Sequence, residues 1–588
     1  MNYFPPINDI KFSLRYLADI EKVAALTPFS EISFDLAETI IEEAGKLAAN
    51  IIAPLNHKAD VASARFNDDG TVSTPDGFAE AYRAMAEGGW TSMEAQEAYG
   101  GQNMPMVLNA AVNEMWQSAS LSFALCHLLT QGQIYALQKA ASEEQKRVFL
   151  PPMVEGRWTG TMNLTEPQAG TDLSSIKTRA MLNGDHYLIS GQKIYITYGE
   201  HDMAENIVHL VLARTLDAPK GVKGISVFIV PKFLVNEDGS LGVRNDVRCL
   251  SIEKKLGIKA SPTAIMQYGE NGGAVGYLIG EENQGLAVMF SMMNHARFNV
   301  GLQGLSIAER GYQQAVDYAN TRIQGIPIER SSGTPISHHP DVLRLLSVMR
   351  AEIEAMRGLI LVGGAALDEA QYGDEAVRPK FDERASLLIP LIKGWITERS
   401  VSLTSDAVQV HGGMGFMEET GAAQHYRDAR ILPIYEGTTA IQANDLIFRK
   451  TLRDNGAAVR ELLADIELDM SDIPDDLSQP VMNAILITRQ TLDNLCVSAN
   501  DPRLVAAGSV HWLMMLGYLC GGWLMAKSGN IADNYKSKEF SDQFIAAKKV
   551  TSRIYLTQCL PEIYSLAQKI IAGGIPVLSM DPSWLSRD

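Results

Sequence analysis

The chain has 588 residues, 46% of them hydrophobic and 20% charged, which is too long for one hydrophobic core and unlike a disordered or fibrous protein. A net charge of -18, with no basic run to offset it, argues against a nucleic-acid partner. Five scattered cysteines without a CxxC pair read as reduced thiols and exclude a zinc or disulfide scaffold, and the N-terminus lacks the pattern of a secretory signal, so a cytoplasmic location is expected.

In chain order, residues 1–35 read as an N-terminal extension. Residues 36–158 carry helical spacing, as in FDLAETIIEEAGKLAANIIAPL, and are expected to form an all-α domain. From 159 to 283 the texture changes to β-branched and aromatic runs such as HYLISGQKIYITY and GISVFIVPKFL, a middle β domain of strands joined by turns. Helical periodicity returns over 284–450 in three long segments, which predicts a helix bundle. Within it Thr439 and Gln442 have the spacing of a capping box, so Thr439 is the expected N-cap of a helix. Residues 451–588 read as a C-terminal helical domain, interrupted by a mobile connection over 469–480. The apolar stretch 506–526 approaches the length of a membrane span, but His511 and Ser509 shorten its core, so it is expected to be a buried helix and not an integral membrane segment. The fold class is therefore α+β, mostly α: an N-terminal helical domain, a central β-barrel-like strand domain, a four-helix bundle and an appended C-terminal helical domain.

Four stretches invite a chemical reading: MNLTEPQAGTD from Met162 to Asp172, KIYITY from Lys193 to Tyr198, AVQVHGGMGF from Ala407 to Phe416, and IYEGTTAIQ from Ile434 to Gln442. Each has a bland alternative. The first could be an ordinary turn held by Pro167 and Gly170, the second a half-buried strand, the third a helix C-cap, and Glu436 in the fourth a first-turn helix acid. In this order, over about residues 36–450, they resemble the acyl-CoA dehydrogenase flavoprotein family.

That resemblance implies FAD as cofactor and an acyl-CoA thioester as substrate. It assigns Met162, Leu164, Thr165 and Thr171 to the flavin, with Thr171 also near the substrate. Tyr195 stands where the family has a tryptophan and, with Ile196 and Thr197, shields the flavin. Arg322, Gln409, Gly412 and Gly413 are carried over as contacts to the cofactor of a neighbouring subunit, which implies a homodimer or dimer of dimers, although Gln324 and Gly325 break the usual pattern after Arg322. Thr438 is a further cofactor contact, and Asn294, Arg297 and Gly437 are substrate contacts. Glu436 is the implied catalytic base for the α-proton, with electron-transfer flavoprotein as the implied electron acceptor.

Such a base works only if desolvation raises it towards a weak carbon acid. Length and the C-terminal unit look like the large-subunit branch of the family, acting on a short or medium acyl chain, straight or methylthio. An acyl-CoA oxidase, a general fatty acyl-CoA dehydrogenase, a silent scaffold subunit and a DNA-binding flavoprotein relative are the competing readings, the last disfavoured by the acidic stretch ADIELDMSDIPDDL.

Overall fold

The computed structural model describes residues 3–328 and 330–586. The N-terminal segment is integrated with the rest of the protein. Helix α1 (Ile7–Tyr16) lies against the long helices, with Phe12 packed edge-on against Phe540 and Phe544 and Asp9 paired with Lys548 at 2.7 Å. Helices α2 (Phe34–Leu47), α3 (Met106–Ala119), α4 (Leu121–Ala140) and α5 (Glu143–Val154) follow. α3 and α4 are buried nearly all round, as befits helices enclosed by others, whereas α2 buries one face. This region is not all-α. A two-residue hairpin pairs Arg65–Phe66 with Val72–Ser73, too short to leave an alternating signature in the sequence.

The strand domain is built on one curled sheet, with a separate short hairpin pairing Phe233–Val235 with Leu241–Arg244. The strands of the sheet are β1 (Trp158–Asn163), β2 (Arg179–Asn183), β3 (His186–Thr197), β4 (Asn206–Ala213), β5 (Ser226–Pro231), β6 (Val247–Ile252), β7 (Thr263–Tyr268) and β8 (Ala274–Leu278). They run in the order β6-β7-β3-β8-β5-β4-β1, with β2 on the first half of β3. All pairs are antiparallel except β1 with β4. The long strand β3 divides its length, pairing β2 and β8 near its start and β7 near its end, which bends the sheet. Between Lys193 and Ile196, two residues of β3 face one of β7, a bulge at which Tyr195 takes φ +61°.

Three long helices follow, α6 (Gly285–Thr321), α7 (Pro340–Tyr372) and α8 (Arg378–His411). Glycines let α6 and α8 approach closely and in parallel: a Cβ at Gly301 would stand 2.3 Å from Ile392, and one at Gly304 3.0 Å from Ile396. A buried Arg357 on α7 bonds Glu114 on α3 at 2.6 Å and Glu309 on α6 at 2.7 Å, joining the first helical region to the bundle. Short helices α9 (Ala422–Ala429) and α10 (Thr439–Asn444) complete this region.

The C-terminal region contains α11 (Ala457–Met470), α12 (Asp475–Val497), α13 (Pro502–Asp533), α14 (Asp542–Ile554) and α15 (Glu562–Leu578). The expected connection over 469–480 is largely helix: α11 continues through Met470 and α12 begins at Asp475, leaving four residues between them. Pro474 sits at the N-cap, and the acids Asp475 and Asp476 occupy the first turn, where the helix dipole favours them. The apolar helix α13 is long enough to cross a membrane by length and composition, but 67% of its most apolar window is buried against the protein. Trp512 on α13 donates to the Thr451 hydroxyl, and Leu513 packs where a Cβ on Gly394 would be, so this helix backs directly onto the bundle.

Candidate active site

The turn carrying Glu436 is built from a conformation that ordinary residues avoid. Glu436 has φ +52° and Gly437 φ +90°, and a left-handed non-glycine residue is sustained only where its surroundings fix it. Two side chains do so. Gln442 Nε2 donates to the Glu436 carbonyl at 3.2 Å, and Lys393 Nζ donates to the Gly437 carbonyl at 2.6 Å. A Cβ on Gly437 would stand 2.6 Å from Gln442 Nε2, so glycine is required both by torsion and by space.

Because C=O and N–H oppose each other across a trans peptide, these two bonds turn the N–H groups of Gly437 and Thr438 to the other side. Among the described residues, the N–H groups of Glu436, Gly437 and Thr438 find no acceptor in the chain.

The helix after the turn starts one residue earlier than the sequence spacing implies. Thr438, not Thr439, is the N-cap, its hydroxyl accepting from Ile441 N–H at 3.4 Å. The capping box is absent, because Thr439 turns inward and donates to Glu398 Oε1 at 2.5 Å while Gln442 is committed to the Glu436 carbonyl.

Electrostatically, Glu436 is under-bonded. Among the described residues its carboxylate makes no hydrogen bond or ion pair. Burial raises its pKa above the ordinary glutamate value, and the charges of Arg297 and Lys393 limit that rise. Arg297, on α6, is itself pulled down by burial; its Nη1 reaches Asn294 Oδ1 at 3.4 Å and its Nε is buried without a partner. Tyr435 anchors the approach to the turn by donating its hydroxyl to Gln303 on α6.

At the sheet, the TEPQAGTD loop is organised by a residue that sequence reasoning left without a role. Glu166 is buried and accepts from Lys177 N–H at 2.7 Å, Thr178 N–H at 3.0 Å, Thr178 Oγ1 at 2.6 Å and Lys193 Nζ at 2.8 Å. Burial alone would raise this carboxyl, but Lys193 and the surrounding donors outweigh it and hold it at about 2. Lys193 also donates to the Leu164 carbonyl at 3.1 Å, and Ile194 N–H to the Thr165 carbonyl at 2.9 Å, which ties the loop to the bulge in β3. Tyr195 is thereby turned outward, 61% exposed, next to buried Ile196. Met162 is buried in β1, Leu164 and Thr165 are half-buried, and Thr171 is exposed. Among the described residues, the hydroxyls of Thr165, Thr171 and Thr197 bond no group of the chain. Free hydroxyls beside an exposed aromatic at a bulge fit the polar edge and ring of a flavin.

The remaining predicted contacts lie elsewhere. Arg322 is the C-cap of α6, and Gln409, Gly412 and Gly413 are exposed at the end of α8. Stacking of Tyr318 on His411 at 4.6 Å brings these two helix ends together. Nothing stands within 4 Å of a Cβ built on Gly412 or Gly413, so the backbone there is open to a large ligand. This end of the bundle is roughly 37 Å from Arg297 along α6, at about 1.5 Å per residue.

Sequence comparison decides the family. Acyl-CoA dehydrogenase N-terminal, middle and C-terminal domain models match residues 35–157, 161–269 and 283–450, and an acetyl-CoA dehydrogenase C-terminal-like model matches 457–581. The chain belongs to the acyl-CoA dehydrogenase family. It is 46% identical to a 3-methylmercaptopropionyl-CoA dehydrogenase of Ruegeria pomeroyi over 98% of this chain and 100% of that one. It is 33% identical to a butyryl-CoA dehydrogenase of Syntrophomonas wolfei over 98% of each. Among solved structures, the acyl-CoA dehydrogenase of Bacillus anthracis complexed with FAD shares the fold at TM-score 0.72, with 22% identity, 96% of this chain and 91% of that one covered.

Proposed function

We propose that this protein catalyses the FAD-dependent α,β-dehydrogenation of a short acyl-CoA, with 3-methylmercaptopropionyl-CoA as the preferred substrate. The observation that carries the chemistry is Glu436: a half-buried, under-bonded carboxylate on a turn clamped through both of its carbonyls. Full-length identity to the Ruegeria pomeroyi enzyme supports the choice of substrate, since a methylthio chain and a short alkyl chain differ little in size.

Glu436 takes the proton from the carbon next to the thioester carbonyl. Burial raises the pKa of this carboxyl, and the charges of Arg297 and Lys393 limit that rise. The N–H groups left free at the turn, with Glu436's own among them, are available to the thioester oxygen as negative charge develops there. The chemistry that FAD would supply when bound is acceptance of the β-hydride, so that loss of one proton and one hydride would leave a trans-2-enoyl thioester. Thr165, Thr171 and Thr197 would hold its polar edge, and Tyr195 would cover its ring.

The distance of Arg322, Gln409, Gly412 and Gly413 from Glu436 supports assigning them to the cofactor of a second copy in a homodimer. Electron-transfer flavoprotein is the proposed acceptor and the cytoplasm the proposed location. The test is anaerobic bleaching of the bound flavin by 3-methylmercaptopropionyl-CoA, butyryl-CoA and octanoyl-CoA, compared by kcat/KM. The methylthio substrate is expected to lead, and absence of bleaching by all three contradicts the reading. Reoxidation with peroxide release would identify an oxidase instead.

A further inference from the structure

Among the described residues three lysines are fully buried, Lys193, Lys393 and Lys548. Two are neutralised: Lys193 by Glu166 at 2.8 Å, and Lys548 by Asp9 at 2.7 Å and Glu354 at 3.1 Å. Lys393 has no carboxylate within ion-pair distance among the described residues, and its ammonium bonds the Gly437 carbonyl. A buried ammonium without a counter-ion is costly, and burial draws Lys393 down to about 7 against the pull of Glu436 and Glu398, while Arg297 adds to the fall.

The charged groups around the turn come from three elements: Arg297 on α6, Lys393 and Glu398 on α8, and Asp445, Arg449 and Lys450 after α10. Two of these carboxylates are already engaged, Glu398 by the Thr439 hydroxyl at 2.5 Å and Asp445 by Lys450 at 3.0 Å and Arg449 at 3.3 Å. Glu436 alone remains unengaged.

We propose that Lys393 is a positioning residue for the base, its ammonium fixing the Gly437 carbonyl so that the strained turn presents Glu436, and supplying the charge that faces the Glu436 carboxylate. This rests on Glu436 being the base, as proposed above. The lysine takes no proton from substrate. It sets the turn and the field in which Glu436 works.

The test uses the FAD-loaded enzyme with Lys393→Met, which removes donor and charge, and Lys393→Gln, which retains a donor but no charge. Both variants are expected to bind FAD and to move the acid limb of the kcat/KM profile upward by about one pH unit. On the acid limb kcat falls by up to about tenfold with KM within about threefold of the parent, and the loss shrinks as pH rises. The infrared carbonyl stretch of protonated Glu436, assigned by its disappearance in Glu436→Gln, should titrate at correspondingly higher pH in both. An unmoved limb and unmoved infrared titration in both variants overturn the proposal. Failure of both to accumulate as FAD-loaded protein also overturns it, because the role is then structural alone. Flavin bleaching by the parent enzyme in the same assay reports separately on the proposed function.

Discussion

Two glutamates, Glu166 buried and Glu436 half-buried, each inside a short stretch characteristic of the family, have opposite environments. Glu166 accepts from two backbone N–H groups, the Thr178 hydroxyl and the Lys193 ammonium, and Gln168 Nε2 adds a contact at 2.6 Å. Every lone-pair direction is used, and the carboxylate stays ionised. Glu436 has charges nearby but no bonded partner, and it sits in left-handed torsion. The first arrangement is a lock that fixes a loop against a β-bulge. The second leaves the proposed base with unspent proton affinity, which is what abstraction from a weak carbon acid requires. The number of donors aimed at each carboxylate separates the two.

Substitutions should therefore divide along the same line. Glu436→Gln is expected to keep bound flavin and thermal stability while lowering its bleaching by acyl-CoA about 100- to 10,000-fold, measured by anaerobic stopped flow. Lys193→Met should do the reverse, costing about 3–5 kcal/mol in urea unfolding because Glu166 is left buried and unpaired; FAD binding would weaken with the loop, and a stable variant would break the comparison.

The pH responses differ in order. As the proposed base, Glu436 must be ionised to act and its pKa is raised, so activity is expected to fall on acidification from a pH above the ordinary glutamate value. Glu166 is depressed to about 2, so its stabilisation is complete above its unfolded value and is lost only as pH falls from there towards 2. Activity should disappear before circular dichroism reports unfolding. The smallest expected effect is that of Thr438→Ala, about 1 kcal/mol from the lost cap, read as a lowered Tm with kcat reduced only modestly.

Much of this was legible in the sequence. The three long helices follow from apolar spacing, and Glu436 and Tyr195 were marked by their motifs. What escaped was set by tertiary contact. Thr438 and Thr439 both carry hydroxyls, and only Glu398, distant in sequence, decides that Thr439 points inward and Thr438 caps. Proline and acids over 469–480 look like a linker, yet Pro474, Asp475 and Asp476 are the start signals of α12. The hairpin at 65–73 has strands too short for any period. Lys193 and Lys393 are indistinguishable from surface lysines until the carbonyls and carboxylate they reach are brought near by folding.

The proton step can be isolated from the redox step. (Methylthio)acetyl-CoA has an α-hydrogen but sulfur at the β position, so it has no β-hydride to lose. Incubated in D₂O with the FAD-loaded enzyme, it should exchange its α-hydrogen, followed by NMR, with the parent protein and not measurably with Glu436→Gln. Equal exchange by both would show that another group removes the proton and would contradict the assignment of Glu436 as the base.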